Sequence, residues 1–283
     1  MFSMITTLSF FLEYCFVIMV AVSAGAQEKP VILEYGKSTK VTDRYSITVW
    51  GTSSVDYGGQ QVVTHGSMTG EIAHKIAAVE SSKFTHELTY TKLKLATSSE
   101  AAGELIVNSE GMVNKVLKIT TNKYGREQNI LNLNELQIPD INVFGALISF
   151  LDVVPELSTS PVKLNDEWKT QNTYSYDAST GKVRIEGSNT MKYVGMEKKM
   201  DFTCAKIEVQ SSFTLSGSSK TPGQMGTYMG AGSEKALIYF AYDVGKVIEI
   251  NKISQTDLQV AIPEINQEIP VSQSVTMTIT FIK

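Results

Sequence analysis

The chain carries histidine at only three positions, His65, His74 and His86. His65 and His74 lie nine positions apart, which neither a helix nor an alternating strand brings together, and no His-Glu-x-x-His run occurs. His74 and His86 can meet across adjacent strands, but two imidazoles make an incomplete ligand set, so no metal site is expected. Serine nucleophiles fare no better. In Gly66-Ser67-Met68-Thr69-Gly70 the serine is second of five rather than third, which reads as a glycine-permitted bend in a long strand. Lys220-Thr221-Pro222-Gly223 has a proline inside its Lys-Thr-Gly, and no Ser-x-x-Lys precedes it. The run Gly217–Gly232 lacks a phosphate-cradling Gly-x-x-x-x-Gly-Lys pattern and reads as a loop. The acid pair Asp166-Glu167 sits at a turn, where solvated carboxylates are ordinary. Trp50 and Trp168 read as core anchors of a sheet, given the area an indole buries. No catalytic residue and no cofactor emerge, and the chain is expected not to be an enzyme.

What would position any site here is β-structure. In Ser274–Phe281 the residues Val275, Met277, Ile279 and Phe281 face one way and Thr276, Thr278 and Thr280 the other. Such alternation marks an antiparallel strand with one buried and one wet face. Further strands are expected at 44–50, 60–69, 72–79, 83–95, 105–107 and 112–121, then at 168–176, 182–193, 200–215, 236–242, 246–253 and 257–262. Gly58-Gly59, Ser109-Glu110-Gly111, Ser179-Thr180-Gly181 and Asp243-Val244-Gly245 supply hairpin turns. The fold class expected is mainly β: an antiparallel meander forming one or two curved sheets, half-barrel or barrel-like.

One segment departs from period two. Residues 141–151, after Pro139-Asp140 and before Pro155, place Val143, Leu147 and Phe150 on one helical face and Phe144, Ile148 and Leu151 on its neighbour. A helix apolar on nearly all sides must be enclosed, and it could pack under a curved sheet. A buried strand pair is the competing reading. Phe144, Leu147, Ile148, Phe150 and Leu151 are therefore the candidate ligand-binding residues. The chain divides on this basis into a first β-rich half at 27–138, an apolar helical connector at 139–157 and a second β-rich half at 158–283.

Residues 1–26 read as a secretory signal: an apolar run from Tyr14 to Val22 leads to Ala24-Gly25-Ala26, with Gln27 as first mature residue. The run is shorter than the roughly 20 residues that cross a bilayer, so no membrane anchor is expected after cleavage. The location expected is exported, periplasmic or extracellular. Cys204 then remains as the single cysteine, which excludes an internal disulfide and reads as a small buried apolar group. With 25 basic and 29 acidic residues, a net charge of −4 and no basic cluster, nucleic acid is not an expected partner.

A weak internal repeat is visible. With Gly111 set over Gly245, Val113 falls on Val247, Val116 on Ile250, Lys118 on Lys252 and Ile119 on Ile253. The second half opens with Pro161-Val162-Lys163-x-Asn165-Asp166-x-Trp168. This stretch resembles the Pro-Val-Lys-x-Gly-Asp-x-Trp signature of an uncharacterised family of exported bacterial β-rich proteins, and Tyr239-Phe240-x-Tyr242-Asp243-x-Gly245-Lys246-Val247 is similar too. Asn165 replaces the glycine of the signature and is one of the few other residues that tolerates the left-handed conformation. The resemblance brings no catalytic residue. A looser likeness in architecture is to periplasmic lipoprotein carriers, whose curved sheet forms an open half-barrel. The functional expectation is an exported, non-enzymatic protein binding a lipid or other apolar small molecule in a concave interior. The alternative is a structural or adhesive envelope module that binds a protein or glycan.

Overall fold

The computed structural model describes residues 29–36, 41–80, 82–100, 103–126, 129–131, 152–178, 181–221, 224–263 and 266–282. The expected signal at 1–26 and the apolar segment at 141–151 lie outside these residues. Strand makes up about 78% of what is described, which settles the class as mainly β.

Twelve strands form one antiparallel sheet. They are β1 (Thr42–Tyr57), β2 (Gln60–Glu80), β3 (Lys83–Ser99), β4 (Gly103–Val107), β5 (Val116–Asn122) and β6 (Asn129–Ile130), followed by β7 (Glu167–Ala178), β8 (Gly181–Lys199), β9 (Phe202–Thr221), β10 (Gln224–Ala241), β11 (Lys246–Ile262) and β12 (Gln267–Ile282). The lateral order is β6-β5-β3-β2-β1-β12-β11-β10-β9-β8-β7, with β4 beside β3. The first and last strands pair from Arg44↔Ile282 to Val55↔Val271, so the two halves of the chain are one continuous sheet. The sheet curls into a half-barrel with β6 and β7 at its two ends.

Several elements are longer than the sequence suggests. The expected strands 60–69 and 72–79 are one strand, β2, as are 246–253 and 257–262 in β11. Gly217–Gly232, read as a loop, belongs largely to the β9–β10 hairpin, paired from Phe240↔Ala205 out to Gln224↔Thr221. Its Gly and Ser residues mislead because low propensity is overridden when long neighbours supply a ladder on both sides. Met200 is not the start of a strand but a turn residue at φ +53° before β9.

Curvature has a visible cause in the glycines of the concave face. Gly187, Phe213 and Gly232 form one row across β8, β9 and β10. The Phe213 ring lies over Gly232, where a Cβ would come 2.3 Å from it. Tyr228 covers its register partner Gly217 in the same way, and Leu258 covers Gly230. Large side chains lying over glycines let the strands bend tightly without opening voids.

The core occupies one end of the half-barrel. Tyr45, Ile47, Ile72, Leu88, Leu117, Ile119, Tyr193, Ile207, Phe240 and Ile279 project inward and are buried. Two connecting segments close it. In 29–36, Val31, Leu33 and Tyr35 are buried, and Val31 pairs with Val162 through N–H···O contacts of 2.8 and 2.9 Å. In 152–158, Val153, Val154 and Leu157 are buried, and Leu157 donates its N–H to Tyr124 O at 2.7 Å. Tyr35 crosses the interior: its ring meets His86 on β3 edge-on at 5.5 Å and Phe240 on β10 at 5.4 Å, and its hydroxyl donates to Pro155 O at 3.0 Å. Each large apolar side chain so buried stabilises the fold by about 1.5–3 kcal/mol, which must replace any cross-link. Cys204 is buried within this core, as expected, and burial lifts its thiol to about 11, so it stays protonated and inert.

The signature stretch makes the turn its sequence implies. Asn165 sits at φ +69°, Asp166 N–H donates to Lys163 O at 2.9 Å, and Asp166 Oδ2 accepts from Lys163 N–H at 2.8 Å. Trp168 is a core anchor and donates Nε1–H to Glu156 O at 3.4 Å. Trp50 is not: it is 59% exposed. Tyr45, Ile47 and Val49 hold the inward phase of β1, so Trp50 faces out. Strand phase also separates the aligned repeat stretches, because at that offset buried Ile119 is matched with Ile253, which is 55% exposed.

Candidate functional site: an apolar trough with a buried ionic triplet

The concave face also holds a cavity of about 220 Å³, bordered by residues of the core. Its walls are Met191 of β8, Val209, Phe213 and Leu215 of β9, Ile238 of β10 and Met277 of β12, while Tyr174 of β7 lines one side. The inward phase of the adjacent strands β7 to β10, and of β12 beyond β11, supplies these residues, and the glycine row beneath Phe213 gives the depth.

The floor is charged. Lys252 of β11 is only 6% exposed and lies 2.5 Å from Asp152 Oδ2 and 3.3 Å from Glu234 Oε2 of β10. Burial works against the Lys252 ammonium, but the two carboxylates outweigh it and hold its pKa above the ordinary range. Burial raises both carboxylates and the Lys252 charge only partly offsets this, and Glu234 is pushed up further by the charge of Asp152. Glu156, also on the lining, is raised by burial, with Thr170 and Arg126 acting against the shift. Arg126 donates Nε–H to Leu157 O at 2.8 Å, so its cation is held on the same segment. One lysine therefore faces two acids, an imbalance of one negative charge when all three ionise.

A polar row runs beside the triplet. Asn189, Ser211, Glu234 and Ser254 are successive register partners across β8, β9, β10 and β11. Asn189 Nδ2–H donates to Thr170 Oγ1 at 3.1 Å. Ser211 Oγ, by contrast, is buried without a hydrogen-bond partner among the described residues. A partnerless hydroxyl in a cavity wall is unusual and costs about 1–3 kcal/mol unless something binds it.

The histidines divide as their spacing allows. His65 is exposed and contacts Thr52 Oγ1 at 3.2 Å. His74 and His86 do meet across β2 and β3, stacked at 5.2 Å with Nε2 of His74 2.9 Å from Nδ1 of His86. Thr121 Oγ1 donates to Asn122 O at 2.8 Å, so its oxygen must accept from His86 Nε2–H, 2.9 Å away. His86 Nδ1 is then the acceptor for His74 Nε2–H, and His74 Nδ1 is left as a buried lone pair without a partner. Burial keeps both rings neutral, lowering His74 to about 4 and His86 well below its usual value. No group of three or more metal-ligating side chains occurs among the described residues. Ser67 lies mid-strand in β2, opposite Trp50, with no elbow.

Of the sequence-derived site residues, Phe144, Leu147, Ile148, Phe150 and Leu151 all lie outside the described residues. The residues that line the trough were missed. Lys252 carries the clearest signal: it shares the inward phase of Ile250, and a lysine in that phase calls for a buried acid.

No family model matches the chain, and no curated protein does. Among solved structures it is similar to an outer-membrane channel from Pseudomonas putida F1 (8% identity, 87% of this chain and 97% of the other, TM-score 0.25). It is also similar to a protein with a YmcC-like fold from Bacteroides fragilis (8%, 88% and 97%, TM-score 0.23). A third is a DUF1329 family protein from Desulfovibrio piger (8%, 85% and 84%, TM-score 0.17). These are loose likenesses, and what the chain does has to come from its own geometry.

Proposed function

We propose that this chain is an exported, non-enzymatic β-rich protein that binds an amphiphilic or apolar small molecule in the trough of its half-barrel. The observation that carries the reading is the cavity of about 220 Å³, walled by Met191, Val209, Phe213, Leu215, Ile238 and Met277 and floored by a few polar groups. Ligand sites have this make-up: mostly apolar walls, with few polar groups fixing orientation. The buried imidazoles, thiol and ion triplet bring no nucleophile and base together at the trough, which supports binding rather than turnover.

The test is direct. Purified protein extracted with organic solvent should release a small molecule detectable by mass spectrometry. The stripped protein should enhance the fluorescence of the neutral dye N-phenylnaphthylamine, and Phe213→Asp should abolish the enhancement. Empty extracts together with no dye binding would remove the reading.

A second reading rests on the outer face. Trp50, Thr276 and Ile253 lie in one row across β1, β12 and β11, with Trp50 and Ile253 exposed. An exposed indole on a Ser/Thr-rich face suits adhesion to a protein or glycan. Capture of an envelope component that is lost in Trp50→Ser, with no molecule in the trough, would favour it.

A further inference from the structure

From the trough's charge balance and its one partnerless hydroxyl, we infer that the ligand is a cationic amphiphile, an apolar body ending in a protonated amine that docks on Asp152, Glu234 and Ser211. The inference rests on the binding reading above and adds the chemistry of the head group.

Among the described residues one cation, Lys252, contacts the two acids and is shared by them, Asp152 at 2.5 Å and Glu234 at 3.3 Å. Glu156, the remaining acid on the lining, has the Arg126 charge acting on it. The uncompensated charge in the trough is thus negative, and it sits where Glu234 and Ser211 are register partners. An ammonium has three N–H donors and no acceptor. Two carboxylates and the Ser211 oxygen, which is buried and accepts from no described group, form a matching acceptor set. A ligand carboxylate meets the opposite situation. To reach Lys252 it must displace a resident acid or stand beside two of them, and like charges in a buried site disfavour each other strongly. The apolar wall selects the body of the ligand, and the floor selects the sign of its head.

The experiment displaces N-phenylnaphthylamine from the stripped full chain at neutral pH with dodecylamine, dodecanol or dodecanoate, which share one chain length. Dodecylamine should displace the dye at concentrations about ten- to a hundredfold lower than dodecanoate, the range expected of a charge-assisted contact. In Glu234→Gln the dye should still bind while most of that preference disappears, and Ser211→Ala should weaken the amine severalfold and leave the dye unaffected. Dodecanoate competing as well as dodecylamine, or a preference unchanged in Glu234→Gln, overturns the head-group inference and leaves the apolar site standing. Failure of the dye itself to bind overturns the site and the inference with it. Dye binding by Glu234→Gln serves as the check that the variant keeps its trough.

Discussion

Lys252→Met is the most demanding test of the trough's electrostatics. The substitution keeps an unbranched stem shorter by one atom and removes the one cation between Asp152 and Glu234. Lys252 is 6% exposed, so solvent does little to screen what is left behind. Breaking a buried ion pair by deleting one partner costs about 3–5 kcal/mol. Against a total stability of about 5–15 kcal/mol this is a large fraction, and for a chain of this size it lowers Tm by roughly 10 °C. The pH dependence is more diagnostic than the size. Without Lys252 both acids keep the upward push of burial. A carboxylate whose folded pKa lies above its unfolded value of about 4 favours the folded state most at low pH, and that advantage is lost as pH rises. The deficit of Lys252→Met should therefore be small near pH 4 and widen towards pH 8. Urea unfolding followed by circular dichroism at both pH values measures it. Adding Asp152→Asn and Glu234→Gln should recover most of the loss at pH 8, because no buried charge then lacks a partner. A deficit below about 1 kcal/mol at pH 8, or one independent of pH, would refute the reasoning, since buried unpaired acids cannot behave that way.

Three further outcomes follow from the same structure. Gly217→Ala puts a Cβ 2.1 Å from the backbone oxygen of Lys182, whereas Gly232→Ala meets the tip of the Phe213 ring at 2.3 Å. Both should lower the urea midpoint by an amount worth about 1–3 kcal/mol, and Phe213→Leu should relieve only the second and only in part, because the Gly232 Cβ would also lie 2.7 Å from Gln255 O. His74, with a folded pKa of about 4 against the ordinary 6.5, contributes stability that is present above pH 6.5 and lost as pH falls towards 4. Its ring protons should show no titration through pH 6 by NMR, and His74→Leu should flatten the acid side of the stability curve. Asn165→Gly should be neutral within about 0.5 kcal/mol, while Asn165→Ala should cost about 1 kcal/mol at φ +69°, measured by thermal unfolding.

The architecture was legible because its signals are local. Val275, Met277, Ile279 and Phe281 announce their face by alternation alone, and all four are inward in β12. Gly58-Gly59 makes its turn with both φ positive and with Asp56 Oδ1 accepting the Gly59 N–H at 3.0 Å. Asn165 and Trp168 keep the roles their stretch implies. Trp50 shows the limit: size argues for burial, but phase decides, and phase was readable from Tyr45, Ile47 and Val49. The glycines of 217–232 show another. A residue that reads as loop in isolation becomes the hinge of a curved hairpin when Phe213 and Tyr228 lie over it.

The amino-acid order by itself determined the strand period, most of the turns, the burial of Cys204 and the dependence on burial and pairing for stability. Each of these follows from the backbone and side chains of a few neighbouring residues. Tertiary structure alone decided that β1 lies against β12, that His74 and His86 join a hydrogen-bond chain running through Thr121 to Asn122 O, and that Asp152 meets Lys252 across 100 positions of sequence. Contacts of that kind depend on where the sheet pairs and curls, and no local pattern specifies the distance between groups brought together by the whole curve.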